Sequence, residues 1–103
     1  MFDEVSLKLR EAFGNNIKYD QMKLYKSYYC YSENEKIMLF ALWPSLEAEL
    51  YSEQENVSDI TSNIYDISNR LRGKRRSAMK IKNSNDVNNL ILIAKRIIEL
   101  NKQ

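Results

Sequence analysis

Lys36–Trp43 reads KIMLFALW and is apolar at every position after the first. Seven apolar residues in a row fall far short of the roughly 20 that span a bilayer. The run suits a strand buried on both faces in the middle of a sheet. Pro44 ends it, because proline cannot donate to a ladder. A central strand needs neighbours on both sides, and the flanking sequence supplies them.

Toward the N-terminus, SENE (32–35) is a polar turn. Before it the period is two: Tyr25, Ser27, Tyr29 and Tyr31 point one way, and Lys26, Tyr28 and Cys30 the other. Alternation with dense aromatics predicts a strand. Toward the C-terminus, SLEAELY (45–51) alternates again, with Leu46, Ala48 and Leu50 inward and Glu47 and Glu49 on a solvated outer face. Three strands joined by short connections predict an antiparallel meander.

Farther out, Phe2, Val5, Leu9, Ala12 and Phe13 form a helical stripe over residues 2–13, and Gly14 follows where a left-handed C-cap would sit. NNIKYDQ (15–21) reads as a loop, as does SEQENVSD (52–59). Ile60, Ile64, Ile67 and Leu71 then fall at helical spacing, until Gly73 breaks the pattern. SAMKIK (77–82) alternates as a fourth strand. Asn83 or Ser84 is placed to cap a last helix, with Asp86 in its first turn and Val87, Leu90, Ile91, Ala94, Ile97 and Ile98 along one face. The expected fold is one α+β domain over residues 1–103. Its antiparallel four-stranded sheet has helices packed mainly on one face, in the order α-β-β-β-α-β-α.

Composition narrows the chemistry. The chain is 44% hydrophobic and 29% charged, in the range of globular domains, with a net charge of only +2. Where the charges sit therefore matters more than their sum. Histidine is absent, which excludes Ser-His-Asp and Cys-His catalysis and removes the commonest nitrogen metal ligand. Cys30 is the only cysteine, so no intrachain disulfide forms, and inside an aromatic strand it reads as a small buried hydrophobe. With two glycines there is no phosphate-binding glycine loop. No metal site and no cofactor are expected. The opening MFDEVSLKLREAF has no apolar segment of a secretory signal, so the expected location is cytoplasmic, with no membrane partner.

Charge is segregated along the chain. Residues 44–69 hold no Lys or Arg but carry Glu47, Glu49, Glu53, Glu55, Asp59 and Asp66. Residues 70–85 hold no Asp or Glu but carry Arg70, Arg72, Lys74, Arg75, Arg76, Lys80 and Lys82. Two readings compete. The basic residues form an outward surface for nucleic-acid phosphates, or the loop is solvated and pairs in cis with the acidic segment or with an acidic protein. Of the seven tyrosines, Tyr25, Tyr28, Tyr29 and Tyr31 are interface candidates, able to stack on bases or anchor a protein contact. For most of them ordinary strand packing is the favoured account, because aromatics are common strand residues. An exposed edge at Tyr25–Tyr31 would allow homodimer formation. Glu47 and Glu49 on one strand face invite an acid/base or metal reading, but two glutamates on a solvated face are the ordinary pattern.

Three stretches resemble a small domain family of uncharacterised function known as "predicted transport protein", some of whose members sit beside restriction-like nuclease domains. MKLYKSYYCYSENEKIMLFALW (22–43) is similar to its tyrosine-lysine strand, turn and apolar strand. IYDISN (64–69) resembles its short D-[VI]-S segment, and RRSAMKIKNSNDVNNLILIAKRIIEL (75–100) its closing strand, capping turn and helix. The resemblance implies an α+β fold and no established catalysis. That family usually has a histidine-tryptophan-glycine turn after D-[VI]-S; here RLRGKRR (70–76) takes its place.

The expected function is a non-enzymatic module that engages nucleic acid through the seven basic residues. The alternative is a protein-interaction module or a small inhibitor encoded by a phage or mobile element, which the short length and methionine start suit.

Overall fold

The computed structural model describes residues 2–102. Two helices, α1 (Phe2–Phe13) and α2 (Ser84–Asn101), enclose six strands in sequence: β1 (Ile17–Gln21), β2 (Lys26–Ser32), β3 (Glu35–Leu42), β4 (Glu47–Leu50), β5 (Ile64–Asp66) and β6 (Ser77–Lys80). They form a single sheet in the order β1-β2-β3-β4-β6-β5, every neighbour antiparallel. The α+β class holds, but the sheet has six strands among the described residues rather than four, and the order is α-β-β-β-β-β-β-α.

Two differences make up that correction. Residues 17–21, expected as loop, form the edge strand β1. Four of its five side chains are exposed, so it carries no hydrophobic alternation and is held by its ladder to β2. The stripe Ile60–Leu71, expected as a helix, is a turn, the short strand β5 and the single 3-10 turn Ser68–Arg70. The reason is local hydrogen bonding by short polar side chains. Thr61 Oγ1 accepts from the Asn63 N–H and Asp66 Oδ1 from the Ser68 N–H, which gives the backbone an alternative to helix. Leu71, the last residue of the stripe, lies 86% exposed.

β3 sits at the centre as its composition predicts. It is bulged against β2, where Tyr28 faces Phe40 but Tyr29 faces Met38. The extra residue, Leu39, breaks the strict alternation, so Ile37 and Phe40 can share a face despite odd spacing. This explains an apolar run without gaps. The β2–β3 turn has Glu33 and Asn34 both at positive φ, the arrangement of a two-residue hairpin turn that follows sheet twist.

Both helices pack on one face. Val5 and Leu9 of α1 and Leu90, Ile93 and Ile97 of α2 join Tyr28, Phe40, Leu42, Leu50 and Met79 in one core. Asn83 caps α2: its Oδ1 accepts the Asp86 N–H at 2.9 Å, while the buried Asp86 carboxylate accepts the Lys82 N–H at 2.8 Å. The first bond satisfies a donor that the helix start leaves open, and the second fastens the chain just before the cap. Gly14, at φ 62°, takes the left-handed position after α1. Among the described residues no helix is long and apolar enough to cross a membrane.

Candidate functional site

The helix-free face of the sheet has its own composition. One register row crosses all six strands there: Asp20, Ser27, Ala41, Glu49, Ala78 and Tyr65. Ser27, Ala41 and Ala78, small and buried, keep the row low around Glu49. The ten-residue connection from β5 to β6, residues 67–76, folds back over Glu49. It is pinned by backbone bonds from Ile67 N–H to Arg76 O (3.0 Å) and from Arg76 N–H to Leu50 O (3.1 Å).

The basic residues of that connection are gathered rather than scattered, and most are already paired. Arg70 Nη1 donates to Glu47 Oε1 at 2.9 Å and lies 3.3 Å from Glu49 Oε2. Arg72 Nε is 3.5 Å from Glu49 Oε2, and Arg75 Nη1 is 3.4 Å from Glu49 Oε1. That last contact is an ion pair without a directed hydrogen bond, and neither atom has another hydrogen-bond partner among the described residues. Arg76 Nε stands 3.9 Å from Glu53 and its Nη1 donates to Gly73 O. The carboxylate at the centre, Glu49, is fully buried, and Arg75 is 92% buried around an exposure of 8%. The solvated face expected for Glu49 is therefore roofed by arginines from more than twenty positions along the chain. Lys74, Lys80 and Lys82 are exposed and have no carboxylate within 4.0 Å among the described residues.

Aromatic rings hold the guanidinium groups in place from the sides. Arg75 lies over Tyr25 at 4.8 Å and near Tyr51 at 5.9 Å; Arg72 lies over Trp43 at 4.9 Å. Tyr25 and Trp43 pack against each other at 4.8 Å. Such contacts are worth about 0.5–2 kcal/mol each, depending on desolvation. Tyr65 donates its hydroxyl to Glu47 in a short hydrogen bond. Burial pushes the Glu47 carboxyl up, but the bonds from Arg70 and Tyr65 and the charges of Arg70 and Lys80 outweigh it and hold the group below its ordinary value. Burial, and then the bond to Glu47, push the Tyr65 hydroxyl far above its ordinary value. Glu47 and Glu49 are thus committed to arginines and a tyrosine.

The four tyrosines of the expected interface divide. Tyr28 lies in the core, stacked on Phe40 at 4.8 Å with its hydroxyl 3.5 Å from Ser6 of α1. Tyr25 belongs to the arginine cluster. Tyr29 is half-covered by Lys36 at 4.1 Å, and Tyr31 stands edge-on to it, 55% exposed. β2 is not an edge strand, because β1 covers it, so the expected dimer edge at Tyr25–Tyr31 does not exist. Cys30 is buried, and burial pushes its thiol up against a weaker pull from Lys102.

Sequence reasoning missed Trp43, Tyr51, Tyr65 and Leu71. Alternation from Glu49 could have placed Tyr51 beside it, and the acidic and basic blocks were visible as complementary. Leu71 has no comparable signal. It sits between Arg70 and Arg72 at φ 55°, a left-handed conformation that bulky side chains rarely adopt. Comparison of the chain with protein-family models, with curated proteins and with solved structures gives no match.

Proposed function

We propose that this chain is a non-enzymatic protein-interaction module and that Leu71, at the tip of the β5–β6 hairpin, is its anchor. The observation that carries this reading is a large apolar side chain, 86% exposed and held at φ 55°. A left-handed residue with a Cβ costs about 1–2 kcal/mol, and an exposed leucine recovers none of that by burial in its own chain. Strain without an internal return points to use elsewhere. The flanking Arg70 and Arg72 are already fixed on Glu47, Glu49 and Trp43, so little side-chain entropy is lost when a partner covers them. Tyrosine, tryptophan and arginine are also the residues that dominate protein–protein contacts. The partner that fits is an apolar pocket rimmed by carboxylates, which Lys74 and Lys80 would meet. A small inhibitor encoded by a phage or mobile element is one form of this reading.

The test is quantitative capture from a lysate of the producing cells, with Leu71→Asn set beside the wild type. Asparagine tolerates the left-handed conformation, so the fold should be kept. Retention of one specific protein should fall at least about tenfold, a hot-spot-sized loss, while Lys95→Ala on the outer side of α2 changes nothing. Unchanged retention by Leu71→Asn would remove the anchor.

A second reading is favoured by Lys74, Lys80 and Lys82, which are exposed and have no carboxylate within 4.0 Å among the described residues, as contacts for nucleic-acid phosphates. It predicts oligonucleotide binding that weakens steeply with salt and ignores Leu71→Asn. Kinship with the "predicted transport protein" family is likewise proposed on its three stretches alone. The basic hairpin tip is where this chain departs from it.

A further inference from the structure

The two edges of the sheet are finished differently. β5 has three residues, and Gln54 Nε2 donates to its Ile64 carbonyl at 3.0 Å. Short length and an occupied carbonyl blunt it. β1 has five residues, IKYDQ, of which Lys18, Tyr19, Asp20 and Gln21 are exposed, and among the described residues no strand pairs with its outer side. Its charges are arranged in a particular way. Lys18 and Asp20 are two residues apart and so share the helix-free face, where their register partners on β2 are Tyr29 and Ser27. Tyr19, 52% exposed, points to the other side beneath the Lys26 ammonium at 4.8 Å.

From this pattern we infer that β1 is a self-pairing edge and that its occupant is β1 of a second copy of this chain, antiparallel about a two-fold axis at Tyr19. In that register Lys18 stands opposite Asp20 of the second copy, and Asp20 opposite its Lys18. Ile17 faces Gln21, and the two Tyr19 rings meet. Cross-strand pairs of opposite charge stabilise such a register, and like charges directly opposite destabilise it. Centring the axis on Lys18 or on Asp20 would instead set two like charges face to face. The charges therefore select one alignment, as an isologous contact requires. Asp20 is also 3.5 Å from Lys36, and its Oδ1 accepts from the Tyr29 hydroxyl at 3.5 Å, which orients the carboxylate before the second copy arrives. Lys18 has no carboxylate partner among the described residues. The paired sheets would form one continuous sheet of twelve strands. This inference is independent of the Leu71 reading: it uses β1 at one edge of the sheet, whereas strands β5 and β6, which carry the Leu71 connection, lie at the other.

Sedimentation velocity over a range of concentrations, with the full chain, tests it. The wild type should show a concentration-dependent monomer–dimer equilibrium. Lys18→Asp and Asp20→Lys, each alone, should weaken the dimer by roughly tenfold or more, since symmetry turns both pairs repulsive. The combined exchange Lys18→Asp/Asp20→Lys should restore it. Circular dichroism of all four proteins separates loss of pairing from loss of fold, and restoration in the combined variant cannot come from damage. A wild type that stays monomeric throughout overturns the inference. So does a dimer that single reversals leave intact, or one the exchange fails to restore.

Discussion

Two adjacent register rows run across the same six strands on opposite faces. On the helix side lie Tyr19, Tyr28, Phe40, Leu50, Ser77 and Asp66; on the free side lie Asp20, Ser27, Ala41, Glu49, Ala78 and Tyr65. Phe40 and Glu49 are both completely buried, one strand and one position apart, for opposite physical reasons. Phe40 is buried because water is expelled from apolar area, a force without direction. Glu49 is buried because three arginines have closed over it, an arrangement that succeeds only while each charge has its counterpart. The contrast teaches that burial alone does not identify a core. The same sheet carries an apolar layer held by close packing and an ionic layer that tolerates no missing partner.

Removing a member from each layer is the largest test of that contrast. Phe40→Ala should cost about 3–5 kcal/mol through lost contacts and a cavity. Glu49→Leu should cost a similar ~3–5 kcal/mol by leaving Arg75 buried beside no charge. The two losses differ in their repair. Glu49→Leu/Arg75→Met should regain most of the stability, because an apolar pair of matched volume replaces a buried ion pair at little cost. Chemical denaturation of the four proteins decides it. If the double variant is no better than Glu49→Leu alone, the free face is not held by charge pairing.

A change of pH should act next on the ionic layer, through Glu47 and Tyr65. The Glu47 carboxyl is held below its ordinary 4.5, so its contribution is fully present above that pH and is lost as the pH falls through the lower folded value. The Tyr65 hydroxyl is raised above its ordinary 10.0, so its contribution is present below that pH and lost as the pH rises beyond it. Melting temperature should therefore fall at both extremes. Tyr65→Phe should cost about 1 kcal/mol at neutral pH and flatten the alkaline limb. An unchanged alkaline limb in that variant would separate Tyr65 from the effect.

The smallest expected effect has the opposite sign. Leu71→Asn removes a bulky side chain from a left-handed position and should raise stability by roughly 0.5–1 kcal/mol. A loss instead would mean that Leu71 packs usefully within its own chain.

Much of the helix-side layer was legible in the sequence because local spacing reports it. The apolar run 37–43, the stripes of both terminal helices, the Asn83 cap and the 33–34 turn all lie where their patterns place them. β1 was illegible because an edge strand exposed on nearly every residue has no alternation to show. β5 was masked by isoleucines that fall at helical spacing yet serve a strand and two turns. The free-face layer was half legible. Alternation placed Glu47 and Glu49 together, and the neighbouring acidic and basic blocks suggested pairing in cis. What covers Glu49 comes from residues 70–75, and no local pattern reports a contact between segments more than twenty residues apart.

The row that holds Glu49 beneath its arginines is otherwise made largely of side chains that have nothing to do with charge. Ser27, Ala41 and Ala78 contribute by being small. A covered carboxylate needs room as well as counter-ions, and here the room is a matter of missing methyl groups. Enlarging Ala78 to valine would crowd the covered row beside Glu49 without altering a single ionisable residue, and would press on the arginines that moor the hairpin with Leu71 at its tip. The geometry of the proposed anchor is thus guarded by the plainest residues on the sheet.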